Sequence, residues 1–264
     1  MRQTKKHILF FLSLFLNLSF LFAQEGTINN NASKPAEFTG KIMVIPFEPK
    51  LYLSEIDVKV NQQTKWNFEQ IRENFRHQLD AQLKLKLESI GPVISFYNDS
   101  AKTWKDLLYA YKSTNLASDP VSKPSDASVV NKKASGIKDG EVHVEMSTEK
   151  KFMNTKITDK ELLTYLNSKY QSEYFVFINE LDIISIPDTY DLSTDSFKRQ
   201  VSVHYSIVNK VGKTVNAGIA SAEFSSKENN PKKIVASCFS PVATTIANKL
   251  SDIIHPKPAT TNKK

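Results

Sequence analysis

Hydrophobic and polar positions change rhythm several times along this chain, and each change marks an element. An apolar run from Ile8 to Phe22 follows Arg2, Lys5 and Lys6 and ends at the small residue Ala23. A basic start, a short apolar middle and a small closing residue form the pattern of a secretory signal peptide, so residues 1–23 are expected to be removed on export. The run is shorter than the roughly 20 residues a spanning helix needs, so no transmembrane span is expected in the mature chain. Residues 24–40 are polar and read as a flexible lead-in. Lys41-Ile-Met-Val-Ile-Pro-Phe47 is then a continuous apolar run closed by proline, as in a strand covered on both faces.

From Thr64 to about Ser89 the period becomes helical. Phe68, Ile71, Phe75, Leu79, Leu83 and Leu87 recur at three- and four-residue steps, with Glu73–Arg76 and Asp80–Lys84 expected as outward polar pairs. Gly91-Pro92 stops the helix and Val93–Phe96 reads as a short strand. Phe75 and Leu79 are expected to cover a sheet containing Val44 and Phe177. Asp99 or Ser100 caps a further helix through Trp104, Leu107, Leu108 and Tyr111. Residues 118–156 lack a sustained period and read as a loop-like insertion, although Val142–Met146 alternates like an isolated strand.

Thr158-Asp159 starts the next helix, with Leu162, Leu163, Leu166 and Tyr170. The strongest strand signal follows at Tyr174–Ile178 and runs on towards Pro187. Strands at about 198–209 and 214–224 are joined by the turn Asn209–Lys213. Asn230-Pro231 opens a last helical region whose stripe includes Ile234, Cys238, Phe239, Val242, Ile246 and Leu250. Pro241 inside it predicts either a kink or a new helix capped by Ser240. Residues 255–264 read as a disordered tail. The fold class is therefore α/β (α+β mixed): one domain over 41–254, a mixed sheet flanked by helices. Its order is strand, long helix, strand, helix, helix, three-stranded meander and helix.

That order, carried by Lys41–Phe47, Leu166–Ile178 and Tyr205–Val215, resembles the amino-terminal domain of the TolB family and the related CsgG-like periplasmic domains. The resemblance implies an envelope protein that works through assembly. The chain departs from the group at Asn179-Glu180, where a small residue is usual, and in the stretch 118–156. It carries neither the propeller repeats of TolB nor the lipidated cysteine and membrane hairpins of CsgG, so pore formation is not implied.

Composition narrows the chemistry. The net charge of +7 falls to +4 once the three basic residues of the leader are set aside, and lysine pairs are spread from 132–133 to 263–264. Without clustering on one face, nucleic acid is not an expected partner. Seven glycines are too few to favour a glycine-loop nucleotide site, and Gly212-Lys213-Thr214 lacks the earlier glycine of a phosphate loop, leaving a hairpin turn. Cys238 is the single cysteine, so an internal disulfide is excluded. Its place in an apolar stripe predicts a buried thiol. No cysteine follows Ala23 to take a lipid anchor.

Asp188, Asp191 and Asp195, with Glu180 and Asp182 upstream, are the candidate metal ligands, for Ca²⁺. Their spacing fits no EF-hand loop, and the alternative is a solvated acidic loop. His77, His143, His204 and His255 are scattered over different elements; His143 and Glu145 share a strand face, but two ligands do not hold zinc. No catalytic constellation and no cofactor site stand out. The expected function is that of an exported, non-catalytic envelope protein, in the periplasm or secreted, contacting envelope protein partners. The alternatives are a secreted hydrolase with an unrecognised carboxylate site and a small-ligand-binding periplasmic protein.

Overall fold

The computed structural model describes residues 38–97, 100–121, 136–138, 141–143 and 151–256. Residues 1–37, which hold the expected signal peptide and most of the expected lead-in, and residues 257–264, Asp99 and Glu145 lie outside them. The strands are β1 (Lys41–Ile45), β2 (Tyr52–Ser54), β3 (Val93–Ser95), β4 (Thr114–Pro120), β5 (Gly136–Lys138), β6 (Glu141–His143), β7 (Lys151–Ile157), β8 (Ser172–Ser185), β9 (Lys198–Asn209) and β10 (Thr214–Ser225). The helices are α1 (Asp57–Thr64), α2 (Phe68–Leu87), α3 (Ser100–Lys112), α4 (Glu161–Tyr170), α5 (Pro231–Ile234) and α6 (Ser240–Ile254).

A mixed six-stranded sheet in the order β10-β9-β8-β1-β3 forms the centre of this α/β domain, with β2 paired to β8. β1 runs parallel to β3 and β8, while β8, β9 and β10 form the antiparallel meander. Short β4 and β7 form a separate antiparallel ladder, and β5 and β6 another. Both ends of the stretch expected as a loop-like insertion are thus strands. Periodicity did not show them because β4 alternates between half-buried and exposed positions without a strong apolar face.

Local chemistry explains the helix limits. Lys65 adopts a left-handed φ of 66° and ends α1. Asn67 and Gln70 then form a capping box, each side chain accepting the other's backbone N–H at 2.8 and 2.9 Å. The helix expected from Thr64 therefore starts later, at Phe68, and a separate helix, α1, precedes it. At Pro241 a new helical segment, α6, does begin with the proline in its first turn, but Ser240 does not cap it. Val235–Phe239 forms a π turn between α5 and α6, and helical backbone angles continue through Phe239 and Ser240. A wider turn accommodates a ring that lacks an N–H and crowds the carbonyl four residues earlier.

The sheet has two unlike faces. On one, Ile42, Val44, Val176, Ile178, Leu181, Ile183, Val201 and Val203 pack under Phe75, Leu79 and Leu83 of α2 and Val242 and Ile246 of α6. On the other, Met43, Ile45, Phe175, Phe177 and Val208 meet Leu107 of α3 and Leu162, Leu163 and Leu166 of α4. Phe75 and Leu79 thus cover Val44 as expected, but Phe177 belongs to the opposite layer, because neighbouring residues of a strand point to opposite faces. Asp80, expected to reach Lys84, is instead buried and accepts the Ser95 hydroxyl at 2.6 Å. Arg76 is also buried, donating to the Phe47 carbonyl at 2.8 Å and to Tyr111 at 2.9 Å.

Candidate functional site

The polar chemistry of the chain gathers at one irregularity of β8. Val176 and Ile178 point to the α2 face, and strict alternation would send Glu180 and Asp182 into the same apolar layer. The register of β8 on β9 shifts between Ile178 and Glu180, leaving Asn179 as an extra residue. This β-bulge keeps Leu181 and Ile183 on the apolar face and turns Glu180 and Asp182 to the other. There they meet Ser202, His204 and Ser206 of β9, beneath β7.

β7 docks on this polar layer by its own backbone. The Met153 N–H donates to His204 Nδ1 at 2.9 Å, and the Thr155 N–H to Ser206 Oγ at 2.9 Å. Asn179, 2% exposed, accepts the Thr155 hydroxyl at 2.6 Å and donates to the Met153 carbonyl and Ser206 Oγ at 2.6 and 2.8 Å. Ser206 Oγ in turn donates to Asn154 Oδ1 at 2.8 Å. Side chains of the sheet therefore satisfy backbone groups on the β7 edge turned away from β4, and a buried edge needs such partners.

Glu180, Asp182 and His204 bring one ligand-type atom each within 4.8 Å of one another. Burial, then the adjacent Asp182 carboxylate, push the Glu180 carboxyl up to about 7. The donor types suit a cation, but the hydrogen bonding opposes one. His204 Nδ1 accepts an amide proton, so the ring proton sits on Nε2, which faces Asp182 Oδ2 at 3.4 Å. A metal needs a free lone pair at that nitrogen. The arrangement favours a proton on Glu180 beside an imidazole whose Nδ1 is held by the Met153 N–H.

The residues singled out from sequence fall elsewhere. Asp188, Asp191 and Asp195 occupy the exposed connection from β8 to β9 and are not among the converging groups of the described residues. Asp191 accepts the backbone and hydroxyl of Ser193 at 2.8 and 2.7 Å, and Asp195 the Tyr190 hydroxyl at 2.6 Å. Of the upstream pair, Glu180 and Asp182 find a different partner, His204, which sequence spacing did not connect to them. His77 is exposed on α2 and His143 lies in β6. Cys238 is fully buried, and burial raises its thiol. Gly212, φ 85°, sits in the β9–β10 turn, where Asn209 Oδ1 accepts the backbone of Val211 and Lys213 at 3.2 and 2.9 Å.

Two open features remain. A cleft of about 350 Å³ lies at the carboxyl end of β1, lined by Ile45, Pro46, Tyr111, Thr155, Phe177 and Asn179 among others. None of Glu180, Asp182 and His204 lines it. The second feature is a sheet edge. The sheet ends on one side in β3, three residues long, and on the other in β10, twelve residues long, with no further strand on it among the described residues. β10 reads Thr-Val-Asn-Ala-Gly-Ile-Ala-Ser-Ala-Glu-Phe-Ser, with one charged residue, no lysine and no proline. Native edges are usually short, bulged or charged; β3 follows that rule by its length, whereas β10 has one bulge at its start, between Thr214 and Asn216, and then runs in regular register from Asn216 to Ser225.

No family model and no curated protein matches the chain. Among solved structures, the crystal structure of the lipoprotein GNA1162 from Neisseria meningitidis is 12% identical and covers 81% of this chain and 99% of its own, at a TM-score of 0.33. The likeness is too distant to transfer a fold or a role.

Proposed function

We propose that the protein is exported to the cell envelope and acts there without catalysis, by contact with protein through the open edge of β10. The observation that carries this is the twelve-residue, singly charged edge, a surface whose unpaired backbone groups are a template for another strand. The basic-apolar-small pattern of residues 1–23 supports export, and the resemblance to TolB and CsgG-like domains supports an assembly role. The carboxylate cluster gives an enzyme little to work with: Glu180 is 7% exposed and the cluster is closed over by β7.

The test is cross-linking in intact cells with the double variant Ala217→Lys/Ser221→Lys, which places two like charges on the edge. Wild type should be recovered from the envelope fraction as a cross-linked protein adduct, and the variant as a single chain of unchanged fold. Adducts of equal yield in both would overturn the edge as the contact surface, and recovery in the cytoplasm would overturn export. A second reading, small-ligand binding, rests on the β1 cleft, which sits where helices leave the carboxyl ends of parallel strands for opposite faces of the sheet. Thr155→Trp would fill it, and loss of a ligand without loss of adducts would favour that reading.

A further inference from the structure

We infer that the occupant of the β10 edge is the same edge of a second copy, paired antiparallel about a two-fold axis; this rests on the contact reading above. In a continuous sheet, opposed residues of neighbouring strands share a face. A two-fold pairing of β10 with itself therefore has its axis through a residue, because only then do opposed positions have the same parity. The midpoint of Thr214–Ser225 falls between Ile219 and Ala220, so one of these stands on the axis.

Both registers are free of charge conflict. With Ile219 on the axis, Ala217 opposes Ser221 and Glu223 falls level with the bulge at Val215; with Ala220 there, Glu223 opposes Ala217. Glu223 never faces itself, and within its own copy it is paired with Lys198 at 2.9 Å. The residues flanking the axis, Gly218, Ala220, Ser221 and Ala222, are small and let the strands approach without steric conflict.

The ends of the strand complement each other as well. Beyond Thr214 lies the β9–β10 turn, where Val211 is 78% exposed. Beyond Phe224 lies an open cleft of about 800 Å³ lined by Phe197, Phe224, Ser225 and Lys227 among others. Antiparallel pairing about Ile219, with the extra residue of the bulge at Val215 counted, carries the Val211 turn of one copy to the level of Ser226 and Lys227 in the other. An exposed apolar residue and a partly apolar cleft are thereby brought together twice, as a self-complementary interface requires.

Sedimentation of the purified exported chain across the micromolar range should show a reversible dimer. Ala217→Lys/Ser221→Lys sets lysines directly or diagonally opposite across the axis and should shift the chain to monomer. Ala217→Lys/Ser221→Glu sets unlike charges there and should restore the dimer, which also controls for tolerance of large side chains. A cysteine at Ile219 or Ala220 should cross-link copies on oxidation, since directly opposed strand residues lie within disulfide reach; one at Glu223 should not. A monomer at every concentration, a dimer indifferent to the lysines, or cross-links only away from the axis would each overturn self-pairing. If the purified chain is monomeric while cellular adducts remain edge-dependent, the second copy is wrong and the contact reading stands. Loss of edge dependence in both overturns the two together.

Discussion

The two faces of the central sheet are held by different physics. Under α2 and α6 the contacts are aliphatic and aromatic, non-directional and summed over area. Beneath β7, beyond Phe177, the same strands present Asn179, Glu180, Asp182, Ser202, His204 and Ser206, and docking is set by hydrogen bonds with fixed donors and acceptors. The first face tolerates exchange of one hydrophobe for another of similar volume, and the second does not tolerate loss of one partner. An inserted residue at Asn179 separates them, because it decides which side of β8 the carboxylates occupy.

The largest expected effect tests the apolar face. Phe75 is fully buried against Phe239 at a ring separation of 5.6 Å, so Phe75→Ala should cost about 3–5 kcal/mol of stability in urea unfolding. Leu79→Met, which nearly keeps volume, should cost less than about 1.5 kcal/mol. Comparable losses from both would mean that the face is specified side chain by side chain, and the contrast would fail.

The next effect tests the polar layer. Asn179→Leu keeps the size but strands the Met153 carbonyl and the Thr155 hydroxyl, each able to exact about 1–3 kcal/mol when buried without a partner, while Ser206 keeps its bonds to the Thr155 N–H and to Asn154. A total of about 2–4 kcal/mol is expected, with protease sensitivity rising first in β4–β7. Neutral behaviour would show that the layer is ordinary packing.

Much of the architecture was legible beforehand. The antiparallel strands β9 and β10, their turn and the stripe of α2 follow from period and turn residues alone. Arg76 and Asp80 were read as outward because i,i+3 and i,i+4 charges usually pair in solvent. Arg76 does pair with Glu73 at 3.4 Å, but Arg76 and Asp80 are both buried, and their further partners, the Phe47 carbonyl just after β1 and Ser95 of β3, are ones that spacing cannot place. The bulge did leave a trace. Apolar positions at 176 and 178 give way to 181 and 183, a change of phase at Asn179-Glu180. His204 could not be joined to that pair without knowing the β8–β9 register, and the open edge required the strand order of the sheet.

A smaller effect sharpens the contrast through pH. The folded Glu180 carboxyl titrates at about 7 against an ordinary value of 4.5, so the folded chain keeps a proton that the unfolded chain has released. Stability should therefore fall as pH rises through that window and level off above it, by on the order of 3 kcal/mol at most. Glu180→Gln should flatten the curve and be the more stable chain at about pH 8, read as melting temperature against pH. An unchanged slope would place the titration elsewhere.

The smallest expected effect is none. A cation that bound the folded chain alone would raise its melting temperature in proportion to the logarithm of its concentration, and Glu180, Asp182 and His204 offer atoms of the right kind within 4.8 Å. For His204 to join them its proton must move from Nε2 to Nδ1, where it would confront the Met153 N–H now donated at 2.9 Å. Two donors would then face each other in a buried site, at a cost of several kcal/mol set against the metal. Zinc should thus leave the melting temperature unchanged. Calcium should do the same, since Asp188, Asp191 and Asp195 lie exposed on the β8–β9 connection and are not among the converging groups of the described residues. A zinc-dependent rise abolished by His204→Gln would show that β7 lifts to release the imidazole, and the polar face would then be a metal-gated surface.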